Sequence, residues 1–575
     1  MEAVKIIING AEVSASKGAT VLEAARSAKV AIPTLYYLKG IVNTDESGVC
    51  VAEVNGSLVN ASTTCVEEGM TIVTNSPAVM GARAEALTKI LAVHDFDCSN
   101  CGMTGTCELR ALAHEYNVGG APSLSKEALK MVDDSSVSLV RDTNKCIRCG
   151  RCVAVCGKVQ GIGALTTVGE GLAAEIVPMN DPFAKGVGLG AVNCVNCGQC
   201  IAVCPVGALS EKDNTAEVAA ALADPDKYVV VQVAPSVRAA LGEAFEFPLG
   251  VDVEGKIAAA LRLLGFDKVF DTTFSADLTI VEEANEFANR LQSGGTLPLI
   301  TSCCPGWVNY CEHYHANLLP NVSSCKSPQQ MFGAVAKSYY VEKMGIDKEK
   351  LVVVSVMPCV AKKGESKRPE MDGDVDISIT TNELARMIKK AGIMMEALAN
   401  EEFDAPLGLG TGAGVIFGAT GGVMEAALRT AVEKLTGKAL TELNFSEVRG
   451  VQGVKEATYD VNGTAVKVAV VSGLANADKL LKQVECGLAD YHFIEIMACP
   501  GGCVNGGGQP HQSAAVHEKV NVAAERAAAL YRNDEKRAVR KSHDNPAVVE
   551  LYKTYLGEVG GEKAHHLLHT TYSAK

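Results

Sequence analysis

The chain has 575 residues, a net charge of −14, 47% hydrophobic and 21% charged residues. That length implies about three to five domains rather than one core, and the acidic balance argues against nucleic acid as the main partner, because a phosphate backbone needs a basic surface. No run of about 18 apolar residues occurs and the start shows neither a signal-peptide pattern nor a twin arginine, so a cytoplasmic protein without a membrane span is expected.

Residues 1–80 read as a small α+β module, with strand VKIIING, helix TVLEAARSAKV and strand TIVTNS. Thr20 is placed as the helix N-cap and Glu23 at the capping-box position. Residues 81–125 read as helical and contain His94, Cys98, Cys101 and Cys107. This compact Cys3His set suits zinc as well as an iron–sulfur cubane. The 21 cysteines are an odd number in a long chain, which favours metal over a disulfide scaffold.

Residues 126–210 are cysteine-rich and hold an internal repeat. Cys146, Cys149, Cys152 and Cys156 recur as Cys194, Cys197, Cys200 and Cys204, followed by Pro205. This is the bacterial two-cluster spacing, in which the fourth cysteine of each run ligates the other cluster. One [4Fe–4S] cluster is therefore expected on Cys146, Cys149, Cys152 and Cys204, and a second on Cys194, Cys197, Cys200 and Cys156. Two zinc sites are the alternative, since thiolates suit zinc too.

From 211 to 575 apolar strands alternate with helical stretches, the pattern of an α/β domain with largely parallel sheets. The last segment, 535–575, reads as a surface helical tail. Cys303 and Cys304 follow the strand LPLIT, Cys359 follows LVVVSVMP, and Cys499 and Cys503 lie in MACPGGCVNGGGQP after another strand. Open α/β sheets hold ligands at those carboxyl ends. Gly501, Gly502, Gly506, Gly507 and Gly508 are expected to bring backbone close to something bulky and to offer free N–H donors. Five thiols imply a cluster with one thiol left over. GLGTGAG at 408–414 is read as glycine packing rather than a dinucleotide loop, and Cys311, Cys325 and Cys486 as small buried hydrophobes.

The motifs TSCCPGWV, VMPCVAKK and MACPGGCVNGGGQP, preceded by the two-cluster run and the His-ligated motif, together resemble the [FeFe]-hydrogenases of the clostridial multi-cluster type over nearly the whole chain. The resemblance implies reversible conversion of protons and electrons to H2 at an H-cluster. That group is a [4Fe–4S] cubane joined through a cysteine sulfur to a two-iron unit with carbon monoxide, cyanide and azadithiolate. It implies three accessory [4Fe–4S] clusters, one of them on His94. Cys304, Cys359 and Cys499 match cubane ligands, and Cys503 the bridging thiolate. Lys362 matches a donor to one cyanide, and Ala234, Pro235 and Ser236 contacts to the other. Gln329, Met357, Phe417 and Met497 match lining residues. Cys303 is the thiol left over and matches the residue that hands protons to the azadithiolate, work suited to a pKa near 8.5. Glu283, Glu286, Arg290 and Ser323 match the proton path; on spacing alone, the two glutamates and Arg290 would read as a solvated helix face.

The implied fold is multidomain α+β and α/β. A β-grasp ferredoxin-like module (1–80) is followed by a helical His-cluster module (81–125), a two-cluster ferredoxin domain (126–210) and a two-lobed α/β H-cluster domain with a helical tail (211–575). Implied partners are ferredoxin, flavodoxin or NAD-linked subunits, and maturation proteins for the two-iron unit. A non-catalytic or hydrogen-sensing relative and a subunit of an NAD-linked complex are the competing readings. The first module departs from the family: Tyr36, Ser47 and Ser62 stand at three of four [2Fe–2S] ligand positions. Only Cys50 matches, and Cys65 falls three residues late. The [2Fe–2S] cluster is expected to be absent and the module to serve as a docking surface.

Overall fold

The computed structural model describes residues 2–103, 105–119, 132–170, 174–179 and 187–575. Alternating burial along Ala3–Ile8 sends Val4, Ile6 and Ile8 inward, as a half-buried strand requires. Five strands, Ala3–Ile8, Ala11–Ser16, Val51–Val54, Ser57–Asn60 and Thr71–Val73, form one mixed sheet ordered second, first, fifth, third, fourth. Helix Val21–Ser27 covers it, and its Thr20–Glu23 capping box is formed as expected. Helix Pro77–Leu91, capped by Ser76, runs through the expected boundary at 80/81. Strand Leu209–Glu211 spans that at 210/211, and the boundary at 125/126 lies outside the described residues.

The large C-terminal part has two lobes, each built on a four-stranded sheet. In the first, Lys268–Asp271, Tyr228–Val233, Leu351–Met357 and Ile377–Thr380 lie in that order, all parallel. Near-continuous apolar burial in Leu351–Met357 fits a sheet covered on both faces. In the second, Leu299–Ile300, Phe493–Met497 and Thr464–Ser472 are parallel and Val454–Val461 closes an antiparallel hairpin. Cys303–Cys304, Cys359 and Cys499 each follow a strand end by a few residues, so both sheets deliver their carboxyl ends to one place.

Two expectations fail here. Residues 535–575 are helical but not a surface tail. Leu551, Leu556, Ala564 and Leu568 are buried in the same core as Phe270, Phe274 and Phe332, and the Ser542 hydroxyl and Asn545 amide donate to buried Asp277. The charged residues sit on the outward side, and the apolar positions between them do the docking. Cys311 and Cys325 are buried as expected, whereas Cys486 is exposed. Among the described residues, no helix is long and apolar enough to cross a membrane.

Candidate active site

A cavity lies between the two lobes. Its lining brings together Ala234, Pro235, Ser236, Cys303, Cys304, Gln329, Met357, Cys359, Lys362, Phe417, Met497, Cys499 and Cys503. The adjacent cysteines lead into helix Pro305–Tyr314, with Cys304 at the N-cap position and Pro305 as the first helical residue. Buried Trp307 pins their turn by donating Nε1–H to the Thr301 carbonyl at 3.0 Å. Cys304 Sγ accepts from the Ala498 N–H at 3.4 Å.

Burial pushes these thiols up: Cys359 to about 12 and Cys304 in the same direction. Lone thiolates are costly in this cavity, so the set becomes a good donor set only when a metal group takes its place among them. The Ser236 hydroxyl, buried in the same lining, has no hydrogen-bond partner among the described residues. Four converging thiols, three of them buried and Cys503 half-buried, and an orphaned hydroxyl fit a large iron–sulfur group.

Cys303 differs from its neighbour. Burial and then Glu283 hold its thiol well above the ordinary range, so the ordinary thiol pKa near 8.5 expected for its role is not what the site provides. The thiol is kept protonated. Lys362 Nζ donates to the Cys303 carbonyl at 3.1 Å and to Glu365 at 2.9 Å. Burial works against the Lys362 charge and Glu365 outweighs it, leaving the pKa raised. Glu365 also accepts from the Ser327 hydroxyl and the Gln329 amide. Sequence reasoning missed Glu365, although its i+3 spacing from Lys362 on helix Ala361–Glu365 was a usable signal.

Glu283 and Glu286 lie on one face of helix Thr273–Ser293. Neither Glu283 oxygen makes a full hydrogen bond among the described residues; burial, then Glu286, push its pKa up to about 8, and weaker contacts with the Ser323 hydroxyl and the Ser302 backbone only partly oppose this. The Ser323 hydroxyl donates to Glu286 at 2.9 Å, and Arg290 Nη2 donates to its other oxygen at 2.6 Å. Arg290 reaches the carbonyls of Thr296, Pro320 and Asn321 near the surface. A solvated helix face does not describe Glu283, which is 1% exposed. His569 was missed as well: its Nδ1 meets the Ser324 hydroxyl at 2.8 Å and its Nε2 faces Glu282 at 3.2 Å.

The glycine-rich loop behaves otherwise than expected. A side chain at Gly506 would strike the Pro358 carbonyl and one at Gly507 the Gly198 carbonyl. The N–H groups of Gly501, Gly502, Gly506 and Gly508 donate to Ser472, Cys499, Cys503 and Pro358. The bulky neighbour is protein backbone, and the contact with Gly198 brings Cys197 into the lining of the cavity.

Two further cavities lie in the cysteine-rich segment, and the second shares Cys197 with the main one. Cys146, Cys149, Cys152 and Cys204 line one; Cys156, Cys194, Cys197 and Cys200 line the other. The quartets cross between the two runs. His94 is buried, its Nδ1 meets the Lys145 carbonyl at 2.9 Å, and burial lowers its pKa. The imidazole is thus neutral with Nε2 left for a metal. Cys98, Cys101 and Cys107 are half-buried, and burial, with the neighbouring thiols adding to it, raises the pKa of Cys98 and Cys107. Among the described residues, the only His, Cys, Asp or Glu trio with ligand atoms mutually within 4.8 Å is Glu286, Cys325 and His569. No three thiols are drawn in that far, whereas tetrahedral zinc with Zn–S near 2.3 Å sets its sulfurs about 3.8 Å apart. In the N-terminal module Cys50 is buried and its thiol raised to about 12 by burial, and Cys65 is exposed.

Residues 227–507 match the family model for the iron only hydrogenase large subunit, C-terminal domain, and residues 520–575 that for the iron hydrogenase small subunit. Residues 145–208 match a 4Fe-4S dicluster domain, residues 83–121 the iron–sulfur binding region of NADH-ubiquinone oxidoreductase-G, and residues 1–77 a 2Fe-2S cluster binding domain. The chain is 48% identical over 590 aligned residues to the NADP-reducing hydrogenase subunit HndD of Solidesulfovibrio fructosivorans, covering 100% of this chain and 99% of that one. It is 45% identical to iron hydrogenase 1 of Clostridium pasteurianum over 99% of both chains. The solved structure of apo [FeFe]-hydrogenase HydA1 from Chlamydomonas reinhardtii superposes with a TM-score of 0.56 at 44% identity, covering 63% of this chain and 99% of that one.

Proposed function

The chain belongs to the iron-only hydrogenases, an enzyme family that interconverts H2 with protons and electrons, and from that premise we propose which residues do each part of the work. The observation that carries the assignment is one buried cavity lined by Cys304, Cys359, Cys499 and Cys503, with a fifth thiol, Cys303, backed by buried Glu283. The first four hold the H-cluster, with Cys503 as the bridging thiolate. When bound, that group supplies the redox centre at which protons and electrons combine.

Cys303 keeps its proton at the cavity wall. Glu283 reloads it, and Ser323, Glu286 and Arg290 lead outward from there. Lys362, fixed by Glu365, presents positive charge to an anionic ligand in the cavity; Ser236 offers a hydroxyl, and Gln329, Met357, Phe417 and Met497 exclude water. His94, Cys98, Cys101 and Cys107 would hold one cubane and the two crossed quartets two more, which would supply an electron relay toward the cavity that Cys197 helps to line.

The β-grasp module without a cluster runs to Ser76, helix Pro77–Leu91 opens the His-cluster module, the two-cluster domain closes with strand Leu209–Glu211, and the catalytic domain follows it. Three accessory cubanes and the H-cluster amount to about 18 irons, against about 20 with a [2Fe–2S]. Ferredoxin or flavodoxin delivers the electrons, or NADP-linked partner subunits do, a reading favoured by the relative named as a subunit of an NADP-reducing hydrogenase. Native co-purification distinguishes these. Maturation proteins supply the two-iron unit. The test of the site is the infrared spectrum of the matured protein. Metal-bound carbon monoxide and cyanide bands are expected in wild type and absent in Cys503→Ala; bands retained in that variant would remove Cys503 from the ligand set.

A further inference from the structure

The family match over residues 1–77 implies a [2Fe–2S] group, yet the residues there do not fit it. Tyr36, Ser47 and Ser62 stand at three ligand positions, and the side chain of Asp45 fills the space among them. Asp45 is 1% exposed. One carboxylate oxygen accepts from the N–H groups of Leu35, Tyr36 and Tyr37 at 2.6, 3.0 and 3.3 Å. The other accepts from the Ser47 N–H at 2.9 Å and from the Ser47 hydroxyl. The Asp45 N–H donates to Ser62 Oγ at 2.8 Å. The Ser62 hydroxyl donates to Asn60, and the Asn60 amide returns to the Asp45 carbonyl. All three non-cysteine positions therefore bond to this one residue.

We propose that the Asp45 carboxylate is a built-in substitute for the missing cluster, an anion supplied by the chain itself. It rests on the reading of the module as cluster-free. Iron–sulfur clusters are held by thiolates and by N–H groups aimed at sulfur. A loop that turns several N–H groups inward and then loses its cluster is left with buried donors lacking acceptors, which is strongly unfavourable. A carboxylate offers about four lone-pair sites and takes charge-assisted bonds. With those donors satisfied, the loop keeps its shape and its outer contacts. The Tyr36 hydroxyl donates to the Ile147 carbonyl at 2.5 Å, and Arg151 Nε donates to the Tyr36 carbonyl. Ile147 and Arg151 belong to the loop bearing Cys146, Cys149 and Cys152. The module passes no electrons and still clamps a loop that carries them.

The test uses the full-length protein. In Asp45→Asn the second oxygen becomes a donor facing donors, so limited proteolysis within residues 33–47 should run about tenfold faster than in wild type, with iron content unchanged. Unchanged proteolysis would overturn the proposal. A second pair of variants reads the site directly. Tyr36→Cys, Ser47→Cys and Ser62→Cys together, with Asp45 kept, should gain no [2Fe–2S] absorption or paramagnetic signal on reconstitution. Adding Asp45→Gly should produce both and about two further irons. A cluster formed while Asp45 remains, or none formed once it is removed, would equally overturn it. A [2Fe–2S] signal in the wild-type protein would sink the cluster-free reading itself, before any variant is made.

Discussion

Residues 1–77 and 145–208 both match iron–sulfur family models, yet they treat their interiors in opposite ways. In the second segment eight thiols line two cavities. In the first, a carboxylate fills the middle and the one matching cysteine, Cys50, is a buried thiol without thiol neighbours at the other three positions. On the cluster-free reading proposed above, a fold built around a cluster outlasts it when its inward donors find another acceptor. The same difference recurs between adjacent residues in the catalytic cavity, where Cys304 is read as a ligand and Cys303 as a proton donor. What a cysteine does follows from its company rather than from its position in a motif.

The largest expected effect tests that last contrast. Cys303→Ser should lower turnover by about 10²–10⁴-fold while keeping the carbon monoxide and cyanide bands, because a hydroxyl is a far poorer acid than a thiol. Cys304→Ser should lose the bands. Bands lost from the first variant would make Cys303 a ligand and erase the distinction.

Next is Glu283→Gln, with a loss of about 10²-fold and unaltered cluster spectra. Burial raises the Glu283 pKa to about 8, so the relay is loaded below that pH and emptied above it. H2 production in wild type should therefore fall as pH climbs through about 8, and the residual activity of the glutamine variant should lack that limb. Wild-type turnover in the variant would return the helix to a merely structural role.

A smaller change returns to the two iron–sulfur segments. Cys156→Ser should remove about four irons, and the cluster lost should be the one held by Cys194, Cys197 and Cys200, although Cys156 belongs to the other run. Loss of the cluster on Cys146, Cys149 and Cys152 instead would undo the crossing. The smallest effect is at Cys50→Ala: no iron lost and a stability cost of about 1 kcal/mol by denaturant unfolding, as for a small buried side chain. Iron lost there would close the gap between the two segments.

Much of this was legible in the sequence, because thiol spacing and strand ends are local properties. The crossed quartets, the Cys303–Cys304 pair and the strands that deliver Cys359 and Cys499 needed only chain order. The companions were not legible, since they come from distant segments. Asp45 meets Ser62 across 17 residues and Ser542 meets Asp277 across 265. The glycine-rich loop was misread for the same reason: Gly507 is small because Gly198, from the two-cluster segment, lies against it. The C-terminal segment looked superficial because charge is visible in sequence and docking partners are not. Glu365 and the raised pKa of Glu283 depend on burial, which the helix pattern alone left open.

The most direct test of the account is the paramagnetic resonance of reduced wild-type protein, followed as the sample is warmed. The account predicts only the fast-relaxing signals of [4Fe–4S] clusters, which broaden away together, and about 18 irons per chain. A slowly relaxing rhombic signal that persists on warming, with about 20 irons, would place a [2Fe–2S] cluster in the N-terminal module and contradict the contrast on which the account rests.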